Sequence, residues 1–108
     1  MRLSELIEKS GFTLKNNLYD KEVEGVFAGD LLSWVMGHSL PGQAWISIQV
    51  HLNVVAVALL REFSCLIIAQ DAIIPSEMID KANEEQLTIL ASHLPVFETA
   101  KKLVELGF

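Results

Sequence analysis

Polar side chains interrupt an otherwise apolar part of the chain at the point where a predicted strand gives way to a helix. Gln49, His51 and Asn53 alternate with apolar residues there, inside the stretch AWISIQVHLNVVAVALL. Polar groups in a sheet that is covered on both sides are costly unless they are paired, and open α/β sheets bind ligands beyond the carboxyl ends of their strands. We therefore predict that these side chains line a ligand site. The alternative is that they are satisfied loop residues, with Asn53 capping the helix.

Two further pairs of residues occur at the same kind of position. Gly29-Asp30 joins a predicted strand to a helix, where glycine allows a ligand to approach the backbone and free N–H groups attract an anion. Ser92-His93 follows the last predicted strand. The plain alternatives are a helix cap for Asp30, and a cap beside an exposed loop histidine for Ser92-His93. The predicted ligand site is one shallow cleft at neighbouring strand ends, comprising Gly29, Asp30, Gln49, His51, Asn53, Ser92 and His93.

Sequence signatures of catalysis do not occur in the chain. It has no phosphate-binding loop ending in Gly-Lys-Ser or Gly-Lys-Thr, no dinucleotide fingerprint and no nucleophile elbow. The histidines lack the paired spacing of a helical metal site, and the single cysteine, Cys65, cannot form a Cys-x-x-Cys pair. The enzymatic alternative uses His51 or His93 as a general base, but no carboxylate follows either at a spacing that would orient it. We therefore predict no enzyme, no metal and no cofactor.

Composition restricts the class of protein and its partners. With 108 residues, of which 51% are apolar and 20% charged, the chain is predicted to form a single globular domain, residues 1–108. The net charge of −6 and the scattered Lys and Arg disfavour nucleic acids and anionic membranes. The longest apolar run, Val54 to Leu60, is far shorter than the roughly 20 residues that span a bilayer. One cysteine and no visible signal peptide suggest a cytoplasmic location.

The spacing of apolar residues predicts an α/β fold. From residue 44 onward, strands predicted at 44–49, 65–69 and 87–91 alternate with helices at 53–63 and after Pro75 and Pro95. This alternation is typical of a three-layer domain whose mainly parallel sheet is covered by helices on both faces. The helix at 53–63 is apolar nearly all round, so burial on more than one side is expected. Two stripes are predicted to face the core: Leu31, Leu32 and Val35, and Val96, Phe97, Ala100, Leu103 and Val104.

The stretch VEGVFAGDLLSWVMGHSLPGQAWISIQVHLNVVAVALLREFSCLIIAQDA resembles the DRTGG domain family. The likeness continues through PVFETAKKLVELG and covers nearly all of the chain; its best-matching pieces are GDLLS followed by VM, and residues 45–59. The resemblance implies a regulatory, ligand-sensing module similar in fold to the N-terminal domain of the HPr kinase/phosphorylase. Such domains occur beside paired CBS domains in some pyrophosphatases. Kinase activity is not implied, because the phosphate loop belongs to a different domain of that enzyme.

One departure from the family concerns its ligand chemistry. The signature Asp-Arg-Thr-Gly-Gly does not occur, and the segment IQVHLN, residues 48–53, stands where related domains carry a polar, glycine-rich turn. Any ligand chemistry owed to that signature is therefore not implied for this chain.

These features predict a non-catalytic regulatory domain that senses a small ligand. An adenine nucleotide or another small anion is the candidate ligand, and self-association or a protein partner is the expected mode of action. The alternative is a pure protein–protein interaction module without a small ligand. A homodimer is the simplest closed assembly, in which Trp34, Trp45 and Phe108 are expected to lose exposed surface.

Overall fold

The computed structural model describes all 108 residues. Its helices are short: α5, with 10 residues, is the longest, and none is long and apolar enough to span a bilayer. In chain order the elements are α1 (Leu3–Ser10), β1 (Thr13–Leu14), β2 (Gly25–Ala28), α2 (Leu32–His38), β3 (Gln43–Ser47), α3 (Leu52–Leu60), β4 (Cys65–Ile68), α4 (Ser76–Glu84), β5 (Thr88–Ala91) and α5 (Val96–Glu105).

The five strands form one sheet in the order β1-β5-β4-β3-β2. Strands β2 to β5 are parallel, and β1 pairs antiparallel with β5. Strands β2 to β5 lie side by side in the order in which they occur along the chain. Because crossovers between parallel strands are right-handed, the connecting helices α2, α3 and α4 all lie on the same face of the sheet. Helices α1 and α5 pack on the opposite face. The predicted fold, a mainly parallel sheet with helices on both faces, is confirmed.

The alternation of side chains along the central strands divides the core in two. Trp45, Leu66 and Ile68 pack with α2, α3 and α4, whereas Ile46 and Ile67 pack with α1 and α5. Every residue of β4 is buried, as predicted for a strand with a helical layer on each side. Trp45 is fully buried within the monomer, so the expectation that it contributes to a dimer surface is wrong.

Helix α3 is buried on one side only, contrary to prediction. Val54, Val55 and Ala58 are buried, but Leu52 and Leu60 are exposed. The helix lies in an outer layer with the sheet beneath it and α2 and α4 beside it, and no further element covers its outward side. Its apolar sequence therefore leaves apolar surface exposed to solvent.

The two predicted apolar stripes are also rotated from their expected positions. Leu31 precedes α2 and is 67% exposed, while Val35 alone is buried in that helix. In α5, Thr99 and Leu103 are buried, whereas Phe97 and Val104 are 76% and 63% exposed. Successive residues of a helix are about 100° apart. When the residue that points to the core is one position away from the predicted one, apolar residues on one side of the predicted stripe face solvent.

Cys65 offers a test of the core beneath α1 and α5. Complete burial disfavours the thiolate and raises the pKa of this thiol to about 12. We expect no reaction with a disulfide reagent such as dithionitrobenzoate at about pH 8 in the folded protein, and full reaction in urea, because only the unfolded chain forms thiolate there. Rapid labelling of the native protein would contradict the burial.

The same thiol should make stability depend on alkaline pH. Its folded-state pKa lies above the unfolded value of about 8.5, so the folded protein holds this proton more tightly. The stabilising contribution is complete below about pH 8.5 and is lost as pH rises towards the folded value. The free energy of unfolding in urea should therefore fall between about pH 8 and pH 10. A Cys65→Ala variant should show a smaller fall over the same range.

Candidate functional site

The loops that follow the parallel strands all lie at the carboxyl edge of the sheet. Strands β2, β3, β4 and β5 end at Ala28, Ser47, Ile68 and Ala91. This edge is where ligands bind in most open α/β sheets. It contains the seven predicted site residues, but the structure distributes them among three separate positions.

The first position is a polar network that joins the ends of β2 and β3. Asp30 Oδ1 accepts hydrogen bonds from the Ser47 hydroxyl and from the Ile48 N–H, the latter at 3.1 Å. Ser47 is fully buried, so its hydroxyl requires such a partner. The predicted role of Asp30 as a helix cap is wrong: Leu31 is the N-cap of α2, and no side chain caps the N-terminus of that helix.

Gln49 belongs to the same network. Its backbone N–H donates to Ser47 Oγ at 3.1 Å, and its side-chain Nε2 donates to the Asp30 carbonyl at 2.8 Å. Gln49 Oε1 is buried and has no hydrogen-bond partner. Because β3 ends at Ser47 instead of continuing to Gln49, this side chain turns towards β2. Gly29 completes the junction, since its carbonyl accepts from Trp45 Nε1 at 2.8 Å.

The second position is the loop between β5 and α5. Ser92 is buried, and its hydroxyl lies 2.8 Å from Thr99 Oγ1 and accepts from the Leu94 N–H at 3.1 Å. Pro95 is the N-cap of α5 and no side chain caps the start of that helix, so the alternative of a cap is wrong for Ser92. His93 beside it is exposed.

Main-chain bonds fill the space between the ends of β4 and β5. The Gln70 N–H donates to the Leu94 carbonyl at 2.9 Å, and the Asp71 N–H donates to the Ser92 carbonyl at 3.2 Å. The chain passes from β4 to α4 on one face of the sheet and from β5 to α5 on the other face, and a crevice is expected where two such neighbouring connections diverge. The two hydrogen bonds join the connections at this point. Ser92 therefore does not lie in an open cleft.

The third position is an open cleft between the first turns of α3 and α4. It has a volume of about 440 Å³ and contains two of the predicted residues, His51 and Asn53. His51 is the N-cap of α3 and Pro75 that of α4, and no side chain caps either helix. The predicted capping role of Asn53 is therefore wrong. The full lining is Val50, His51, Leu52, Asn53, Pro75, Glu77 and Met78.

Three residues that matter at this edge were not predicted. Ser47 lies in the strand predicted at 44–49, and its hydroxyl is central to the network with Asp30. Pro75 and Glu77 lie at the start of the helix predicted after Pro75, and they form the second wall of the cleft. Local sequence carries no signal for that wall, because it depends on the packing of α4 against α3.

The cleft offers two means of binding a ligand: hydrogen bonds from its polar side chains, and the backbone N–H groups at the starts of α3 and α4. Glu77 is the only acidic residue of its lining, and His51 and Asn53 supply the polar side chains of the opposite wall. No group of three or more His, Cys, Asp or Glu side chains in the structure is arranged to hold a metal ion. On α4, the pKa of Lys81 is raised mainly by its hydrogen bond to Glu85, and Lys81 does not line the cleft.

Comparison with known proteins supports the fold assignment. No family model and no curated protein matches the sequence. A solved structure that is similar contains the CBS and DRTGG domains of the regulatory region of Clostridium perfringens pyrophosphatase, complexed with the activator diadenosine tetraphosphate. The TM-score is 0.73 at 14% sequence identity, and the alignment covers 94% of this chain and 45% of that chain. At this identity the likeness establishes a shared fold, and this chain spans less than half of the length of the chain in that structure.

Replacing Asp30 with Ala tests the network at the ends of β2 and β3. The change removes the acceptor of the buried Ser47 hydroxyl and of the Ile48 N–H. We expect a loss of about 1–3 kcal/mol in the free energy of unfolding, measured in urea, because a buried donor is left without a partner. The matched control is Asp80→Ala on α4, whose side chain is exposed and whose replacement should change stability by less than about 0.5 kcal/mol. Equal stability of the two variants would show that the network does not hold the strand ends together.

Proposed function

We propose that residues 1–108 form a DRTGG-like regulatory domain that senses a small anionic ligand and catalyses no reaction. The observation that carries the proposal is the cleft of about 440 Å³ into which the starts of two helices, α3 and α4, both open without a capping side chain. The similarity in fold to a regulatory region crystallised with a nucleotide activator agrees with this role. A cytoplasmic location is part of the proposal.

The electrostatics of the helix starts favour an anion. The first N–H groups of a helix have no partner within the helix, and the macrodipole adds partial positive charge at that end. In α3 this end adjoins the imidazole of His51 and the amide of Asn53, both exposed. We propose that a phosphate binds at the start of α3 and accepts hydrogen bonds from the backbone and from these two side chains.

The opposite wall suits the uncharged part of a nucleotide. Glu77 would repel a second phosphate, but a carboxylate accepts hydrogen bonds from ribose hydroxyls in many nucleotide sites. Val50 and Leu52 supply apolar surface for a base, and the volume of the cleft falls within the range of about 300–1,000 Å³ common for small-molecule sites. An adenine nucleotide is therefore the proposed ligand class.

None of the other five predicted residues lines the cleft, and three of them have a supporting role in this proposal. Asp30 and Gln49 fix the end of β3, from which the chain passes directly to His51. Ser92 fixes the loop before α5. Gly29 and His93 are not proposed to contact the ligand, because neither lines the cleft.

The proposal also includes self-association or a protein partner as the mode of action. Trp34 is 58% exposed and stacks on the ring of His38 with 3.7 Å between ring centroids. Exposed aromatic side chains of this kind favour contact with another protein. The same observation supports the second candidate function, a pure interaction module that binds no small ligand.

Thermal unfolding with ATP, ADP, AMP and inorganic phosphate tests the proposed ligand. A ligand at about 100 times its dissociation constant stabilises the folded state by about 2.7 kcal/mol, which raises Tm by about 10 °C in a domain of this size. We expect His51→Ala and Asn53→Ala to reduce this shift without lowering the Tm of the free protein, because both side chains are exposed.

The matched control is His93→Ala, which replaces another exposed histidine at the same edge of the sheet but outside the cleft. This variant should retain the full shift. If no nucleotide and no phosphate raises Tm, the ligand-sensing role is refuted and the interaction module is favoured. If His93→Ala and His51→Ala lose the shift equally, the ligand does not bind in the cleft.

A further inference from the structure

The middle of the chain carries no formal charge. Residues 31–60 contain no Asp, Glu, Lys or Arg, although the whole protein has a net charge of −6. These residues include all of α2 and α3, which are neighbours in the same layer. Surface helices of globular proteins normally have charged residues on the side away from the core. The outward side of α2 and α3 is therefore unusual.

This outward side is also apolar and exposed. Leu31, Leu40 and Leu60 are 67%, 62% and 69% exposed, and Trp34 is 58% exposed. Two further side chains, Met36 and Leu52, are 38% and 46% exposed. We call this surface the uncharged face, made up of Leu31, Trp34, Met36, Leu40, Leu52 and Leu60.

Hydrogen bonds between the ends of the two helices bring two parts of the uncharged face together. The Arg61 side chain, directly after α3, donates from Nε to Ser39 Oγ at 3.0 Å and also donates to the Ser39 carbonyl. These bonds bring the chain at Leu60 close to the chain at Leu40. The Arg61 guanidinium, at the border of the uncharged face, is held by these same hydrogen bonds.

The other helices differ from α2 and α3 in this respect. Helix α1 carries a Glu5–Lys9 ion pair of 2.8 Å on its surface, and α4 carries a Lys81–Glu85 pair of 3.3 Å. In α5, the exposed Phe97 and Val104 are interspersed with charged residues. Neither Phe97 nor Val104 lies on a surface free of charge, so the uncharged face is distinct.

We infer that the uncharged face is the interface between two copies of this chain, an inference that rests on the self-association included in the proposed function. Each copy has a charge of −6, so two copies repel one another wherever their charged surfaces meet. The uncharged face avoids this repulsion and needs no complementary charge, which makes it suitable for an isologous twofold contact.

The size of the uncharged face agrees with a dimer. Its six side chains expose roughly 600 Å², taking about 150–250 Å² for a fully exposed side chain of this size. This area is at the upper end of the about 300–600 Å² of the largest apolar patch on a typical monomer, and such patches often have a function. It is also about three quarters of the roughly 800 Å² that each partner buries in a stable interface.

The open edge of β2 is the competing surface for self-association. A groove of about 520 Å³ runs beside this strand, between Val26 and Val104 of α5. Glu24 lies in its lining, so a twofold contact there would bring like charges towards one another. The two surfaces are on different faces of the sheet, which allows each to be altered without the other.

Sedimentation equilibrium of the full chain at about 100 µM, with Leu60→Glu and Val104→Glu as matched variants, tests the inference. The two side chains are 69% and 63% exposed, so both substitutions should leave the monomer folded, as thermal melting will verify. We expect a wild-type dimer, a dissociation constant raised at least about 30-fold by Leu60→Glu, and no change with Val104→Glu, because only the first buries an unpaired charge. The wild-type dimer should not weaken when NaCl is raised from about 50 mM to about 500 mM.

Each result has a distinct meaning. A wild-type dimer that resists Leu60→Glu, or that Val104→Glu disrupts, overturns the inferred interface but leaves self-association intact. A wild-type monomer overturns both the interface and the self-association. Neither result bears on the ligand, whose binding is measured separately by the shift in Tm with nucleotides.

Discussion

The right-handed sense of parallel crossovers is the constraint on which this structure depends. Strands β2 to β5 are neighbours in chain order, so each crossover returns across the same face of the sheet and α2, α3 and α4 form one layer. After β5 the chain passes to the other face, where α5 packs across β2 and β3. The positions of the helix starts, and of the cleft between two of them, follow from this order.

The sequence predicted those features for which local pattern and burial agree. The apolar run from Cys65 to Ala69 is buried throughout, and the fold class follows from the alternation of strands and helices. Asp30 shows where such prediction ends. A carboxylate just before a helix fits the pattern of a cap, but this carboxylate accepts hydrogen bonds from Ser47, at the end of β3, and from Ile48 directly after it. That choice depends on strand pairing, which is a tertiary contact.

The candidate site could be predicted in part for the same reason. His51 and Asn53 lie directly after a strand, and local pattern is enough to indicate that they reach the carboxyl edge. Gln49 does not join them, because β3 ends two residues earlier and its amide bonds to the backbone of Asp30. Glu77 was missed because its wall belongs to α4. The alternation of polar and apolar residues does not by itself show at which residue a strand ends, or which helix forms the opposite wall of the cleft.

Helix α3 connects the proposed cleft with the proposed interface. Its first turn lines the cleft with His51 and Asn53, and its last residue, Leu60, belongs to the uncharged face. Leu52 belongs to both surfaces. The helix has only nine residues, so a displacement of its first turn by a ligand would extend to the surface that meets a second copy. Linkage is reciprocal: a ligand that binds the dimer more tightly than the monomer must strengthen the dimer by the same factor. Movement of α3 alone would therefore be enough to couple ligand binding to self-association under the proposed function.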